Sequence, residues 1–187
     1  MILFDEVAET LDAAGIPFVL IGAAALAVHG VVRSTFDYDL LATTSSVLSE
    51  PFWTAVRRDA LIDVRRGDDD DPFMGAVRFS AADERDVDLM VGRAGWLDGV
   101  LARKINVGLA GRDVPVAGAG DLILLKLYSG GTQDRWDIEQ LAAAVSTATI
   151  LTAVTTARIR EDVESRLSDL PHEAAALWQQ LMSASLF

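Results

Sequence analysis

Between Ile21 and Leu40 the chain reads IGAAALAVHGVVRSTFDYDL. A glycine and a run of small residues predict a short helix opened by a turn, and the segment after it ends in Asp37-Tyr38-Asp39. Side chains two apart on a strand point to one face, so Asp37 and Asp39 are expected to converge. Converging carboxylates repel, and a divalent cation is the usual way such a pair is stabilised. The turn upstream leads into a helix N-terminus, whose free N–H groups suit an anion such as phosphate. Metal and phosphate together point to nucleotide chemistry.

The chain has 187 residues, 51% of them hydrophobic, enough for one domain or for one domain with a small helical appendage. It has no cysteine, which excludes disulfides, thiol catalysis and cysteine-based zinc sites. Its two histidines, His29 and His172, lie far apart and argue against a histidine-rich metal site. A net charge of −12 argues against a generally basic nucleic-acid surface. Arg57, Arg58, Arg65 and Arg66 are read as solvated side chains rather than as a local basic patch. The start, MILFDEVAETLDAAG, is acidic where a signal peptide is basic, and no apolar run is long enough to span a bilayer. The expectation is a soluble, cytoplasmic protein with no membrane partner.

Periodicity and turn residues predict an α/β (α+β) core over 1–118 and a helical region over 119–187, packed on the core or continuous with it. Residues 3–14 read as a helix stopped by Gly15, PFVLI (17–21) as a buried strand, and 23–29 as a helix ended by Gly30. Residues 32–42 read as a second strand, with Arg33, Thr35, Asp37 and Asp39 on one face. Val32, Ser34, Phe36, Tyr38 and Leu40 would lie on the other. A helix is predicted from Pro51 to Leu61, strands at 61–66, 75–80 and 86–91, and a helix at 94–103. A hairpin is predicted over 105–116, turning at Gly111-Arg112-Asp113. The acidic run Asp68–Asp71 lacks the spaced ligands of an EF-hand loop and reads as a solvated loop. Helical patterns then run to residue 184, with Pro171 separating the last two.

The strand RDVDLMVG places Asp86 and Asp88 on one face, and its distance along the chain allows it to neighbour the strand of Asp37 and Asp39. Three carboxylates so arranged could hold two magnesium ions and position a triphosphate; the alternative is that Asp86 and Asp88 face solvent on an edge strand. Lys126, in an otherwise apolar helix, either faces a cleft or snorkels. Asp134 and Asp137 are neighbours on one helix face and are candidates for pairing with a basic group. His29 is read as capping its helix. Trp53, Trp96, Trp136 and Trp178 are read as core or interface anchors.

The motif Gly22, His29-Gly30, Arg33, Thr35, Asp37, Asp39, Leu40 resembles the opening motif of the nucleotidyltransferase superfamily (polymerase-beta-like fold), in the branch related to abortive-infection AbiEii-type toxins. The later segment VPVAGAGDLILLKLYSGGTQDRWDIEQL resembles the same branch through Lys126, Asp134, Asp137 and Ile138. The likeness spans about residues 16–145. It implies a nucleotidyltransferase-like mixed sheet flanked by helices, with a helical C-terminal third.

The resemblance also implies roles. Asp37 and Asp39 become metal ligands, and Asp88 the third carboxylate near the acceptor hydroxyl, with Asp86 as the alternative. Gly22, Ala23, Arg33, Thr35 and Lys126 become nucleotide-binding, with Arg33 contacting phosphate or pairing with the aspartates. Position 23 is Ala where many relatives have Gly or Ser, so a hydroxyl is lost while the backbone N–H stays. The implied activity is magnesium-dependent transfer of a nucleoside monophosphate from ATP or another NTP to a hydroxyl. The acceptor would be a tRNA 3′ end, a protein or a small antibiotic. A toxin–antitoxin setting with an antitoxin partner is part of the same implication. The competing expectation is a catalytically silent protein of this fold that binds a nucleotide or a partner, such as an antitoxin component.

Overall fold

Phe18–Ile21 is buried at all four positions, as a wholly apolar strand must be, and forms β1 inside a seven-stranded sheet. The computed structural model describes residues 2–109, 111–147 and 152–183. The chain divides into two units, Met1–Ala24 with Ser34–Ala117 and Ala25–Arg33 with Gly118–Phe187, and the division falls within helix α2 (Gly22–Val28).

In the first unit the other strands are β2 (Asp37–Ala42), β3 (Leu61–Arg66), β4 (Phe73–Ser80), β5 (Asp86–Gly92), β6 (Ile105–Leu109) and β7 (Arg112–Val116). The sheet order is β3-β4-β5-β2-β1-β7-β6. It is mixed: β2 runs parallel to β5 and β1 parallel to β7, while β1 and β2 and the three hairpin pairs are antiparallel. Strand alternation assigns the faces. Leu40, Val77, Phe79, Val87, Leu89 and Val91 are fully buried, and Asp86 and Asp88, which alternate with them on β5, lie on the opposite side. Helix α1 (Leu3–Ala13) packs on β5, with the Phe4 ring 5.0 Å from that of Tyr38. Gly15 follows it in the left-handed region at φ +66°. Helix α3 (Gly95–Ala102) packs against β1.

Three local expectations fail here. The strand expected over 32–42 begins only at Asp37. The Thr35 hydroxyl bonds the main chain and side chain of Asp37, a local bond that competes with a ladder, and Val32 and Phe36 are 81% and 87% exposed rather than packed. The helix expected at 51–61 is replaced by short 3₁₀ turns at Ser45–Leu48 and Glu50–Trp53. There the buried Trp53 indole donates to the Val47 carbonyl at 2.7 Å, and Arg57 donates both its backbone N–H and its guanidinium to Glu6. The expected hairpin forms, but Leu109 pairs with Arg112, so Arg112 and Asp113 belong to β7 and not to the turn.

Of the arginines expected to be solvated, Arg58, Arg65 and Arg66 are exposed, Arg65 pairing with Asp63 and Arg66 with the Leu48 carbonyl, while Arg57 is half-buried between Glu6 and Glu84. Trp53 and Trp178 are core residues, whereas Trp136 is exposed. No helix among the described residues is long and apolar enough to cross a membrane.

The second unit is helical: α4 (Ala119–Ser129), α5 (Thr132–Thr147), α6 (Thr152–Glu164) and α7 (His172–Ser183). The expected helix start at 148–151 lies outside the described residues. The very apolar α4 packs against all three others, with Leu122, Ile123, Leu124 and Leu127 buried. Gly130 closes it in the left-handed conformation, returning its N–H to the Lys126 carbonyl. Asp137 of α5 is completely buried, and three groups satisfy it. Lys126 Nζ is 2.8 Å away, Arg33 Nε 3.1 Å, and the Gln133 amide donates at 3.1 Å. Lys126 also reaches Asp134 at 2.7 Å. Burial pushes Asp134 up, but hydrogen bonds from Lys126 and Ser129 outweigh it and hold the carboxyl below its ordinary 3.8.

Asp137→Ala leaves the Lys126 and Arg33 charges without their shared partner and is expected to cost about 3 kcal/mol in urea unfolding. The lowered Asp134 carboxyl contributes stability above its unfolded-state value, and that contribution is lost as pH falls through the folded one. Asp134→Asn is therefore expected to lower stability at neutral pH, by an amount that shrinks as pH falls below the ordinary carboxylate range, checked by urea unfolding across that range.

Candidate active site

The parallel pairing of β2 with β5 sets Asp37 opposite Asp86 and Asp39 opposite Asp88. Both strands alternate in step, so the acidic side chains emerge on one face. Carboxylate oxygens of Asp37, Asp39 and Asp88 lie within 4.8 Å of one another, and all three residues are partly exposed. Asp88, and not Asp86, is part of that cluster.

Two neighbours fix the geometry of these carboxylates. The Thr35 hydroxyl donates to Asp37 Oδ1 at 2.7 Å, holding that carboxylate's rotamer. Ile21 pairs with Asp39 across β1 and β2, so Gly22 comes directly against the Asp39 side chain. A Cβ at Gly22 would lie 1.9 Å from Asp39 Oδ2, and the residue sits at φ +63°. Only glycine meets both conditions. Apart from the nucleotide-binding role that the resemblance implies for Gly22, the fold demands room for a carboxylate at this position.

The electrostatics are those of crowded like charges. Burial pushes Asp88 above its ordinary value; Arg78 pulls it down, and the Asp37 and Asp86 carboxylates push it further up. Arg78 stands opposite Asp88 in the β4–β5 ladder. Its guanidinium gives Asp86 two hydrogen bonds, at 2.8 and 3.1 Å, and comes within 3.6 Å of Asp88 Oδ2. Sequence reading missed Arg78. The signal was the five-residue connection Ala81–Arg85, whose hairpin register places residue 78 against residue 88.

Three hard oxygen donors converging from two strands fit a divalent cation such as magnesium. The other residues expected to contact nucleotide have the following partners within the chain. Arg33 is engaged with Asp137 and Lys126 with Asp134 and Asp137, so these two cations already have carboxylate partners. Thr35 serves Asp37, and the Ala23 side chain is buried.

No protein-family model matches the chain, and no curated protein sequence does either. Solved structures do. The solution structure of the antibiotic-resistance factor ANT(2″)-Ia superposes over 89% of this chain and 91% of its own, with a TM-score of 0.54 at 16% identity. An antigenic nucleotidyltransferase-like protein from Paracoccidioides brasiliensis matches over 94% of both chains, with a TM-score of 0.52 at 16% identity. The crystal structure of ANT(2″)-Ia with adenylyl-2″-tobramycin covers 85% of this chain and 95% of its own, with a TM-score of 0.50 at 17% identity. At such identities likeness speaks for architecture rather than for substrate, and the architecture of this chain is the nucleotidyltransferase fold.

Proposed function

We propose that the protein transfers a nucleoside monophosphate from an NTP to an acceptor hydroxyl, releasing pyrophosphate, with Asp37, Asp39 and Asp88 holding divalent magnesium. The observation that carries this reading is the convergence of three carboxylates from adjacent parallel strands within 4.8 Å. Bound magnesium would supply positive charge to the triphosphate and would lower the pKa of the attacking hydroxyl. The chain's own groups do the rest. Thr35 keeps Asp37 aimed, Gly22 leaves Asp39 its place, and the Asp88 carboxylate takes the acceptor's proton. The acceptor oxygen bonds to the α-phosphorus as the bond to the bridging oxygen of the leaving pyrophosphate breaks.

The acceptor follows from charge. With a net charge of −12 the chain favours a protein hydroxyl or a cationic small molecule over a polyanionic tRNA end. One fold neighbour is known with adenylyl-2″-tobramycin, an adenylylated small molecule. The sequence resemblance adds the protein and tRNA acceptors and a toxin–antitoxin setting with an antitoxin partner.

Incubation with Mg²⁺ and each labelled NTP, against total RNA, lysate proteins and aminoglycosides in turn, tests the reading. Label is expected on one acceptor class with the unmutated protein, and at least about a hundredfold less with Asp39→Asn. Absence of both transfer and metal-dependent NTP binding would sink the proposal. Gly22→Ala drives a methyl group into Asp39 and is expected to lose transfer to a similar degree, with weakened Mn²⁺ binding in a metal titration. Unchanged metal affinity in that variant would separate Gly22 from the carboxylate it borders.

A further inference from the structure

Four carboxylates share one face of β2 and β5, yet only three of them converge. The fourth, Asp86, is turned to Arg78, which gives it two of its guanidinium N–H bonds and gives Asp88 only a longer 3.6 Å approach. Arg78, Asp86 and Asp88 are all partly exposed, at 44%, 30% and 21%, so the guanidinium has room to shift between the two acids. An arginine fork matches a carboxylate well, and its charge opposes any dication seated on the same oxygen.

We propose that Arg78 is a built-in counter-ion of the carboxylate cluster and that Asp86 is a positioning residue, holding the Arg78 guanidinium aside so that Asp88 stays open to a divalent cation. This rests on the reading that Asp37, Asp39 and Asp88 bind such a cation. The pair gives Asp86 a role distinct from ligation. Without Asp86, the fork loses its two hydrogen bonds and turns fully onto Asp88, where it competes with the metal. Without Arg78, the metal meets no competing cation and Asp86 matters little.

The opposite signs of these effects make the test. Mn²⁺ alone is titrated into the full chain at low salt by calorimetry, for the unmutated protein, Arg78→Gln, Asp86→Asn, the double variant and Asp39→Asn. Arg78→Gln is expected to bind Mn²⁺ roughly three- to tenfold more tightly, and Asp86→Asn more weakly by a similar factor. In the Arg78→Gln background Asp86→Asn is expected to change affinity by less than about twofold, the non-additivity that direct coupling requires. Additive effects, or an Arg78→Gln variant no tighter than the unmutated protein, would overturn the inference. In that case Mn²⁺ binding lost only in Asp39→Asn would leave the metal reading standing. An unmutated protein that binds no Mn²⁺ would overturn both. Arg78→Met also removes the charge and serves if Arg78→Gln does not fold; Asp86→Asn should again change affinity by less than about twofold in that background.

Discussion

The parallel pairing of β2 with β5 is the constraint on which the rest of the first unit depends. It places Asp37 beside Asp86 and Asp39 beside Asp88 and so concentrates negative charge on one sheet face. Nothing in hydrophobic burial favours such a gathering, because the apolar residues that hold these strands, Leu40, Val87, Leu89 and Val91, lie on the other side. The surrounding features answer the repulsion one by one. Thr35 takes a lone pair of Asp37, Arg78 brings a positive charge, and Gly22 withdraws its own side chain.

The second unit meets the burial of charge in the opposite way. Asp137 is fully enclosed, but Lys126, Arg33 and Gln133 complete its bonding, and Lys126 is shared with Asp134. This network ties α4, α5 and the segment ending at Arg33 together. The contrast between an open acidic cluster and a closed ionic one is a better guide to chemistry than the mere presence of charged residues in an apolar setting.

Much of the open cluster was legible in sequence, because strand alternation converts Asp-x-Asp directly into a shared face and because two such segments stood within pairing distance. The parts that were not legible depend on non-local partners. Residues 32–36 carry β-formers, yet Thr35 bonds Asp37 and the strand starts late, so the face imagined for Arg33 does not exist. Residues 51–61 have helical spacing, but Trp53 and Arg57 bind groups in other segments and hold the chain in short turns. The partners of Lys126, Asp134 and Asp137, sit on the next helix, at a distance no periodicity reveals. Arg78 was recoverable only by pairing β4 to β5 residue by residue.

Gly22 carries one further consequence. Because the place of its missing methyl is filled by Asp39, positions 22 and 39 cannot vary independently within this fold. A relative with a larger residue at the first position must have moved, shortened or discarded the second acid, whatever else its motif retains. The glycine is thus a marker that can be read in any related chain without a structure: where it persists, the seat for the carboxylate is still vacant of side chain, and where it is gone, an Asp-x-Asp nearby no longer means what it means here.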